Sequence, residues 1–310
     1  MRLRSILLGA AGVLVGIPLL VAGSVAGVYL AHNEISGTIA YGDGGRHYLL
    51  HVPANLDRNK PAPLVVSLHG AMGWPSLQRD ITGWNRLADE RGFIVVYPGG
   101  QGDGPKAWFM EGSDDPARMP DVKFIADLLD RAQASHKIDA ARIYVEGLSN
   151  GGGMAFALAC TMPQRIAAVG LVAAAMTLPP QWCTSPAPMP MIAIHGTADT
   201  IVPYAGGASP IAPKPFGPVP QWVAQWAARN GCAASAVEQK VAMDLTRAEY
   251  TPCTGGASVV FYTVHGGGHQ WPGGRLLPEW LLGRRTPSVD ATREVWDFFQ
   301  KQGSRHLPGG

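Results

Sequence analysis

One pentapeptide in the sequence has the pattern of a catalytic nucleophile. The segment GLSNG at Gly147–Gly151 follows the β-branched run Arg142–Val145 and precedes a small-residue run, Gly152–Cys160. A strand, then G-x-S-x-G, then a helix is the setting of a nucleophile elbow, in which the serine occupies a sharp, strained turn. The glycines leave room for the strand and helix, and the helix N-terminus points its positive dipole end at the serine. A tight turn alone would fit the pattern too, so the prediction needs a base, an acid and an oxyanion hole elsewhere.

An acid and a base candidate follow the serine, each after a predicted strand. Asp199 lies just past the apolar run Met191–Ile194, where a carboxylate can accept the Nδ1–H of a catalytic histidine and fix its tautomer. Taken alone, it would be interpreted as an Asx-turn residue. His269 follows a triglycine after the run Val259–Val264, and it is preferred as the base over His265, which lies at the strand end itself. The order serine, aspartate, histidine is the one that the α/β-hydrolase fold imposes.

An oxyanion hole requires two backbone N–H groups aimed at the charge that develops on the substrate. One is expected from Asn150, the residue after the candidate nucleophile. The second is expected from the loop after the apolar run Leu64–Leu68, with Ala71 as the first choice and Met72 as the alternative. The preceding pair, His69-Gly70, would also fit a turn that merely ends a strand.

Two tryptophans near these loops are candidate substrate contacts. Trp108 lies in a glycine-rich segment at 99–120, and Trp271 is two residues from His269. Aromatic rings beside an open site can stack on a sugar or phenolic ring, but packing in the core or a loop is an equally good interpretation. Asp121 precedes a predicted helix and is interpreted as its N-cap rather than as a catalytic group.

The elements that position these residues are strands that alternate with helices. Two short strands, Gly37–Tyr41 and Arg46–Val52, are predicted to form an antiparallel hairpin. From Leu64 onward, buried apolar runs alternate with helical patterns, which predicts an α/β fold with a doubly wound, mostly parallel sheet. Active sites of such sheets lie beyond the carboxyl ends of the strands, where the candidates fall. Only about 17 residues join the strands ending at Ala173 and starting at Met191, so no large cap domain is expected.

Composition narrows the function classes. The chain has 310 residues, of which 46% are hydrophobic, which suffices for one large core. The formal net charge is +2 and the basic residues are scattered, so nothing favours nucleic acid as a partner. No cysteine spacing resembles a zinc site, and neither a metal nor a cofactor is predicted. The sequence leaves the oligomeric state open.

The start of the chain is predicted to lie outside the fold. A short basic region precedes Ile6–Leu30, a run without charge, which is the pattern of a signal peptide or an N-terminal membrane anchor. The length of the run favours an uncleaved anchor, while small residues between positions 22 and 26 leave cleavage open. Either way the catalytic part is expected outside the cytoplasm, as a secreted or periplasmic domain or one anchored by residues 6–30. The predicted division is a signal peptide or anchor at 1–31, a catalytic domain at 37–302 and a C-terminal tail at 303–310.

Four cysteines agree with export. An even number in an exported chain indicates disulfides, and four cysteines allow three pairings. Proximity in the sequence favours Cys160–Cys183 and Cys232–Cys253. The alternative is four buried free thiols.

Four motifs resemble those of the polyhydroxybutyrate depolymerase and feruloyl esterase family of α/β-hydrolases: LHG at 68–70, GLSNGGGM at 147–154, HGTAD at 195–199 and GGHQWPG at 267–273. The likeness runs from Gly37 to Gln302. It implies a secreted serine esterase that cleaves hydroxyalkanoate polyesters or feruloyl and acetyl esters of plant polysaccharides, and it supports the Cys232–Cys253 pair. The chain departs from the family where the loop before Trp108 lacks a cysteine and where Leu276–Arg285 looks inserted, so the choice among these esters stays open.

The sequence therefore predicts an exported serine esterase. Ser149 would attack an ester carbonyl, His269 would take its proton and Asp199 would orient the histidine, while the Ala71 and Asn150 amides would hold the oxyanion. A serine peptidase on the same fold is one alternative, although no gating domain or peptide anchor is evident. A non-catalytic cell-envelope binding protein is the other. The expected partner is an ester substrate, polymeric or small, and the membrane is contacted only through the N-terminal segment.

Overall fold

The structure is a computed structural model that describes residues 36–41, 44–102, 106–109, 119–275 and 277–302. The predicted signal peptide or anchor at 1–31 and the tail at 303–310 lie outside these residues and stay predictions. Within the described part of the chain, no helix has both the length and the apolar character needed to cross a membrane.

A ten-stranded, mostly parallel sheet forms the centre of the described chain, in the order β1-β2-β4-β3-β5-β6-β7-β12-β11-β10. The pairs from β4 to β12 are parallel, while the outer pairs at both edges are antiparallel. β8 and β9 pair separately. The strands are β1 (Gly37–Tyr41), β2 (Gly44–His51), β3 (Ala62–Leu68), β4 (Ile94–Pro98), β5 (Ile138–Leu148), β6 (Ala168–Val172), β7 (Met191–Gly196), β8 (Gly207–Ser209), β9 (Ala212–Phe216), β10 (Val237–Ala242), β11 (Leu245–Tyr250) and β12 (Val259–Val264).

Helices cover both faces of this sheet. Buried side chains of α3, α4 and α5 pack on one face, and those of α1, α2 and α7 pack on the other. The prediction of a doubly wound α/β fold with an N-terminal antiparallel pair is confirmed. The helices are α1 (Pro75–Thr82), α2 (Trp84–Arg91), α3 (Pro120–Ser135), α4 (Asn150–Thr161), α5 (Val219–Arg229), α6 (Glu279–Leu282) and α7 (Ala291–Lys301), with short 3₁₀ helices at Pro180–Trp182 and Thr254–Gly256.

The central strand β5 is packed on both faces. Val145 points into the core beneath α3, α4 and α5, whereas Tyr144 points into the opposite core. There its ring stacks on Phe299 of α7, with centroids 4.6 Å apart. Such an aromatic pair adds about 1 kcal/mol beyond its area burial. Double-sided packing therefore holds the carboxyl end of β5, where Ser149 follows, in a defined place.

Several elements of the described chain were not predicted from the sequence, among them the hairpin β10–β11 and helix α1. The hairpin β10–β11 extends the sheet beyond β12. The edge strand β10 is exposed and carries the charged side chains of Glu238 and Lys240, so it has no apolar run that would predict a strand. Helix α1 begins at Pro75, which fits the first turn of a helix but also resembles a loop residue in the sequence. The predicted alternation of strands and helices from Leu64 onward is interrupted where β6, β7, β8 and β9, and later β10, β11 and β12, follow one another without an intervening α-helix in the described chain.

Both disulfides favoured by sequence proximity are present. Cys160–Cys183 joins the last turns of α4 to the β6–β7 connection, and Cys232–Cys253 joins the two ends of the segment that carries β10 and β11. Disulfides of this kind persist in oxidising compartments. The first of them ties down the helix that follows Ser149.

A buried carboxyl group lies in β5, three residues before Ser149. Glu146 accepts a hydrogen bond from Trp84 Nε1 at 2.8 Å, while its Oε2 and the Oε1 of Gln78 have no partner among the described residues. Burial raises the pKa of Glu146 to about 8, and the neighbouring polar side chains of Ser67, Trp84 and Gln78 offset only part of that rise. The carboxyl group is therefore protonated at neutral pH.

This protonation predicts a pH-dependent stability. Because the pKa of Glu146 is raised in the folded state, its contribution is fully present below the unfolded pKa near 4.3 and is lost as pH rises through about 8. Over that range the wild type should lose about 1.4 kcal/mol per pH unit from this group, and Glu146→Gln should not. Denaturant titrations between pH 5 and 8 measure the two slopes. Glu238→Gln, on the exposed edge, is the control, and equal slopes for Glu146→Gln and wild type would contradict the prediction.

Candidate active site

Ser149 occupies a strained turn between β5 and α4. Its φ of 54° and ψ of −118° lie where a residue with a side chain is rarely found. Two hydrogen bonds hold the turn: Ser149 N–H donates to the Val172 carbonyl, and the Ser149 carbonyl accepts from Ala175 N–H, both at 2.9 Å. Ser149 is also the N-cap residue of α4, so its side chain lies at the positive end of that helix. The predicted elbow geometry is therefore present.

The two flanking glycines are required by close approach of the backbone. A Cβ on Gly147 would lie 2.2 Å from the carbonyl carbon of Gly151, and a Cβ on Gly151 would lie 2.2 Å from the carbonyl oxygen of Leu68. Any side chain at either position would force the strand and helix apart. The G-x-S-x-G spacing thus follows from the contact between α4, β5 and the end of β3.

Asp199 and His269 are joined directly. His269 Nδ1 lies 2.8 Å from Asp199 Oδ2, and both side chains are almost fully buried. The other carboxylate oxygen accepts from the N–H groups of Ile201 and Val202, at 2.8 Å each, which is the Asx-turn arrangement. Burial would raise the pKa of Asp199, but the hydrogen bonds from His195 and His269 outweigh it and hold the pKa well below its usual range. The carboxylate is therefore ionised and fixes His269 with Nδ1 as the donor.

A second histidine, which the sequence analysis did not single out, supports the same carboxylate. His195 Nε2 lies 2.9 Å from the Val202 carbonyl oxygen and 3.3 Å from Asp199 Oδ2. Its position four residues before Asp199, at the end of β7, is the sequence feature that could have identified His195 as a neighbour of this carboxylate. His265 lies elsewhere, because its Nε2 pairs with the Thr246 hydroxyl at 2.8 Å. The preference for His269 over His265 as the partner of Asp199 agrees with this geometry.

The segment predicted as an insertion packs against the backbone of the His269 loop. His269 N–H donates to the Leu282 carbonyl at 2.6 Å, and Gly268 N–H donates to the Arg284 carbonyl at 2.9 Å. A Cβ on Gly268 would lie 2.2 Å from the same Leu282 oxygen. The triglycine therefore allows α6 and the residues after it to approach the loop that carries His269.

The β3–α1 loop, His69–Gly73, lies beside the Ser149 side chain. A Cβ placed on Gly70 would be 3.4 Å from the Ser149 Cβ. The amide N–H groups of Ala71 and Asn150 have no acceptor among the described residues. Met72, the alternative donor, has a φ of 64° and an exposed side chain. The two amides lie on the segments that flank Ser149, so both stay candidates for the oxyanion hole.

His69 stabilises this loop as a neutral ring. Its Nδ1 donates to the Gly70 carbonyl at 2.8 Å, and its Nε2 accepts from Gly100 N–H at 2.9 Å. Burial lowers the pKa of His69 to about 4, against the opposing effect of the Gly70 hydrogen bond. The ring is therefore uncharged at neutral pH and acts as a structural link between β3 and the strand end at β4.

The Asn150 side chain links the elbow to the β3–α1 loop. Its Oδ1 accepts from Trp108 N–H at 2.7 Å, and its Nδ2 donates to the Trp108 carbonyl at 3.1 Å. Trp108 Nε1 then donates to the His69 carbonyl at 2.9 Å, two residues before the Ala71 amide. The Asn150 side chain thus fixes Trp108 against the elbow, whereas the sequence singled out only the Asn150 backbone amide.

This link predicts an effect on catalysis without loss of the fold. Asn150→Ala removes both hydrogen bonds to Trp108, each worth about 1 kcal/mol, so the loop that carries Ala71 is expected to shift. We expect kcat for a simple ester to fall about tenfold with KM nearly unchanged, because the loop contacts the transition state more than the ground state. Trp108→Phe, which removes only the indole donor, should show a smaller fall in the same direction. Wild-type kcat in Asn150→Ala would contradict the positioning role.

The two tryptophans predicted to contact substrate are buried. Trp108 is 2% exposed, and its indole donates to the β3–α1 loop. Trp271 is 1% exposed, and its Nε1 donates to Thr292 Oγ1 of α7 at 3.0 Å. Neither offers an open ring face, so the prediction of stacking platforms at these positions is corrected. Phe109, the residue after Trp108, is 54% exposed, and Trp280 of α6 is 80% exposed.

Asp121 is not the N-cap of α3, because the helix begins at Pro120 and Met119 occupies the cap position. Its fully buried carboxylate lies 2.7 Å from Arg46 Nη2 and accepts from Phe109 N–H at 2.7 Å. The carboxylate thus fixes the backbone of Phe109, the residue after the Trp108 that Asn150 holds. Asp121 therefore has a structural role, as predicted, but it acts through Arg46 and the Phe109 N–H rather than as a helix N-cap.

Among the described residues, no hydrogen bond joins Ser149 Oγ to His269 Nε2. The strands that precede Ser149 and Asp199 are nevertheless close together in the sheet. Leu148 of β5 pairs with Val172 of β6, and Val172 pairs with Ile194 of β7. β12, which precedes His269, is the next neighbour of β7. In ligand-free enzymes a catalytic hydrogen bond is often long and tightens only when substrate binds.

Comparison with known proteins agrees with the fold. The family model described as Esterase PHB depolymerase matches residues 46–178. NocK of Nocardia uniformis subsp. tsuyamanensis is 30% identical over 245 residues, which cover 74% of this chain and 71% of that protein. The bifunctional acetylxylan esterase/xylanase XynS20E of Neocallimastix patriciarum is 33% identical over 162 residues, or 52% of this chain. This chain spans only 22% of the length of XynS20E.

A solved structure supports the fold at greater coverage. The acetyl xylan esterase from Aspergillus awamori superposes with a TM-score of 0.57, covering 76% of this chain and 93% of that one at 19% sequence identity. At this identity the likeness concerns the fold. The family match, the relatives and the strand–turn–helix at Ser149 agree with one another, and the chain belongs to the Esterase PHB depolymerase family of α/β-hydrolases, whose members are carboxylic ester hydrolases.

Proposed function

We propose that the chain hydrolyses carboxylic esters through a triad of Ser149, His269 and Asp199. The observation that carries the proposal is the buried hydrogen bond between His269 Nδ1 and Asp199 Oδ2, beyond the strand ends beside the strained Ser149 turn. An ionised carboxylate that fixes Nδ1 as the donor leaves Nε2 as the basic nitrogen. That nitrogen is the one that a general base uses.

The proposed reaction has two stages. His269 Nε2 takes the proton of Ser149 as Oγ attacks the ester carbonyl, and the resulting oxyanion accepts hydrogen bonds from the Ala71 and Asn150 amides. The tetrahedral intermediate collapses, and His269 returns the proton to the leaving alkoxide, which departs as an alcohol. A water molecule, deprotonated by the same nitrogen, then attacks the acyl-enzyme and releases the acid.

The proposed substrates are acyl esters of polymers or their fragments. Three classes of ester are candidates: acetyl esters of xylan, hydroxyalkanoate esters and feruloyl esters. They are suggested by the family description, by the name of XynS20E and by the sequence resemblance. The exposed side chains of Met72 and Phe109 next to the site offer apolar surface for an acyl group. We assign residues 37–302 as the catalytic domain, working outside the cytoplasm, which the two disulfides support.

A substrate panel tests the proposal. Purified protein is assayed on p-nitrophenyl acetate and butyrate, methyl ferulate, acetylated xylan and short hydroxybutyrate oligomers, with a p-nitroanilide peptide as the amide control. We expect turnover of simple esters and of at least one polymer-derived ester, with none of the amide. Preferential cleavage of the amide would support the peptidase, and binding of carbohydrate without any turnover would support the non-catalytic alternative.

A further inference from the structure

An open cleft lies along α1 and α2, apart from the residues assigned to the triad. It has a volume of about 690 Å³ and is lined by side chains that include Trp74, Leu77, Arg79, Asp80, Arg86 and Arg275. Cavities of roughly 300–1,000 Å³ are the size at which small-molecule sites occur. Ser149, Asp199 and His269 are not among the described residues that line it.

The cleft begins next to both loops of the candidate active site. Trp74 directly follows the β3–α1 loop, and Gly273 lines the cleft four residues after His269. Arg275 N–H donates to the Ile81 carbonyl at 3.3 Å, which ties the segment after the His269 loop to α1. The cleft therefore includes residues that directly follow the β3–α1 loop and closely follow the loop that carries His269.

The charge of the cleft is positive. Arg79 Nε lies 2.6 Å from Asp80 Oδ1, so these two opposite charges offset each other. Arg86 and Arg275 are exposed and form no ion pair among the described residues. Two guanidinium groups without a carboxylate partner remain on one concave surface. The net charge of the whole chain is only +2, so these two guanidinium groups are a local excess of positive charge.

We propose that the cleft binds the carboxylate of an acidic sugar unit, so that the natural substrate is an ester on a uronate-bearing polysaccharide. Guanidinium groups bind carboxylates in a planar, bidentate manner. A concave site with an apolar floor fits an oligosaccharide, whereas the flat surface of an anionic membrane would not reach into it. This inference rests on the proposed function for its ester, but the carboxylate site stands on the cleft alone.

Equilibrium binding tests the cleft separately from catalysis. The probe is an ester-free xylotriose that carries one glucuronate branch, measured by calorimetry against neutral xylotetraose, sodium glucuronate and inorganic phosphate. We expect the acidic oligosaccharide to bind at least about tenfold more tightly than the neutral one, which is the gain from one charge-assisted pair. Arg86→Gln and Arg275→Gln should each weaken its binding about tenfold, and added salt should weaken it further. Arg91→Gln, on α2 but outside the cleft, should leave it unchanged.

Each outcome decides one question. Equal affinity for the acidic and neutral oligosaccharides, or unchanged affinity in the Arg86→Gln/Arg275→Gln double variant, would overturn the proposal. Phosphate bound as tightly as the acidic oligosaccharide would overturn it in favour of a phosphate site. Hydrolysis of p-nitrophenyl acetate should stay at the wild-type level in these variants. If the protein bound the acidic probe but hydrolysed no ester, the esterase proposal would fail while the cleft assignment stood.

Discussion

Ser149→Ala is expected to lower kcat for p-nitrophenyl acetate about 10⁶-fold, because the variant lacks the nucleophile on which both stages of the reaction depend. A small activity above the rate in water should persist, since the Ala71 and Asn150 amides still bind the oxyanion of a directly attacked ester. Stopped assays with the purified variant at high enzyme concentration measure the residual rate.

The fold of this variant should be unchanged. The structure gives the Ser149 hydroxyl no hydrogen bond among the described residues, and alanine adopts a φ of 54° at about the same cost as serine. Ser185→Ala, in the β6–β7 connection, is the matched control and should retain wild-type kcat. A Ser149→Ala variant that kept more than a tenth of wild-type kcat would require another nucleophile.

Asp199→Asn is expected to lower kcat about 10⁴-fold while the protein stays folded. The amide oxygen can still accept from the Ile201 and Val202 N–H groups, which preserves the Asx-turn. The amide nitrogen would then face His269 Nδ1 as a donor and force the proton onto Nε2, the wrong tautomer for a base. Steady-state kinetics on a soluble ester, with circular dichroism as the check of folding, measure this effect.

A second aspartate supplies the control for that experiment. Asp139 also accepts a backbone N–H two residues on, from Ala141 at 3.0 Å, but it lies at the start of β5, far along the strand from Ser149. Asp139→Asn should therefore leave kcat within about twofold of wild type. If Asp199→Asn behaved like Asp139→Asn, the carboxylate would serve only the turn, which is the alternative that the sequence left open.

The local patterns of the site could be predicted because each depends on a short segment. The G-x-S-x-G spacing predicts the close approach of the backbone at Gly147 and Gly151. An apolar run predicts a strand shortly before each of Ser149, Asp199 and His269, so all three are expected near strand ends. Strand order is not contained in any one segment, but a parallel sheet with right-handed crossovers restricts it enough to bring these ends to one edge. The Asp199–His269 contact, across 70 residues of sequence, follows from that restriction.

Contacts between distant segments could not be predicted in the same way. Asp121 pairs with Arg46 and Trp271 donates to Thr292, and neither partner is marked by any local pattern. Burial of Trp108 and Trp271 likewise depends on how loops pack against the sheet, whereas the sequence shows only that an aromatic residue lies near a motif. The cleft between α1, α2 and Arg275 has no sequence signature for the same reason.

Labelling with a fluorophosphonate tests the central claim most directly, because such a probe forms a covalent bond only with an activated nucleophile. We expect one probe per chain, located by peptide mass spectrometry on Ser149, with labelling abolished in Ser149→Ala and strongly slowed in Asp199→Asn. Labelling at another serine, or no labelling of a folded protein that still hydrolyses p-nitrophenyl acetate, would contradict it.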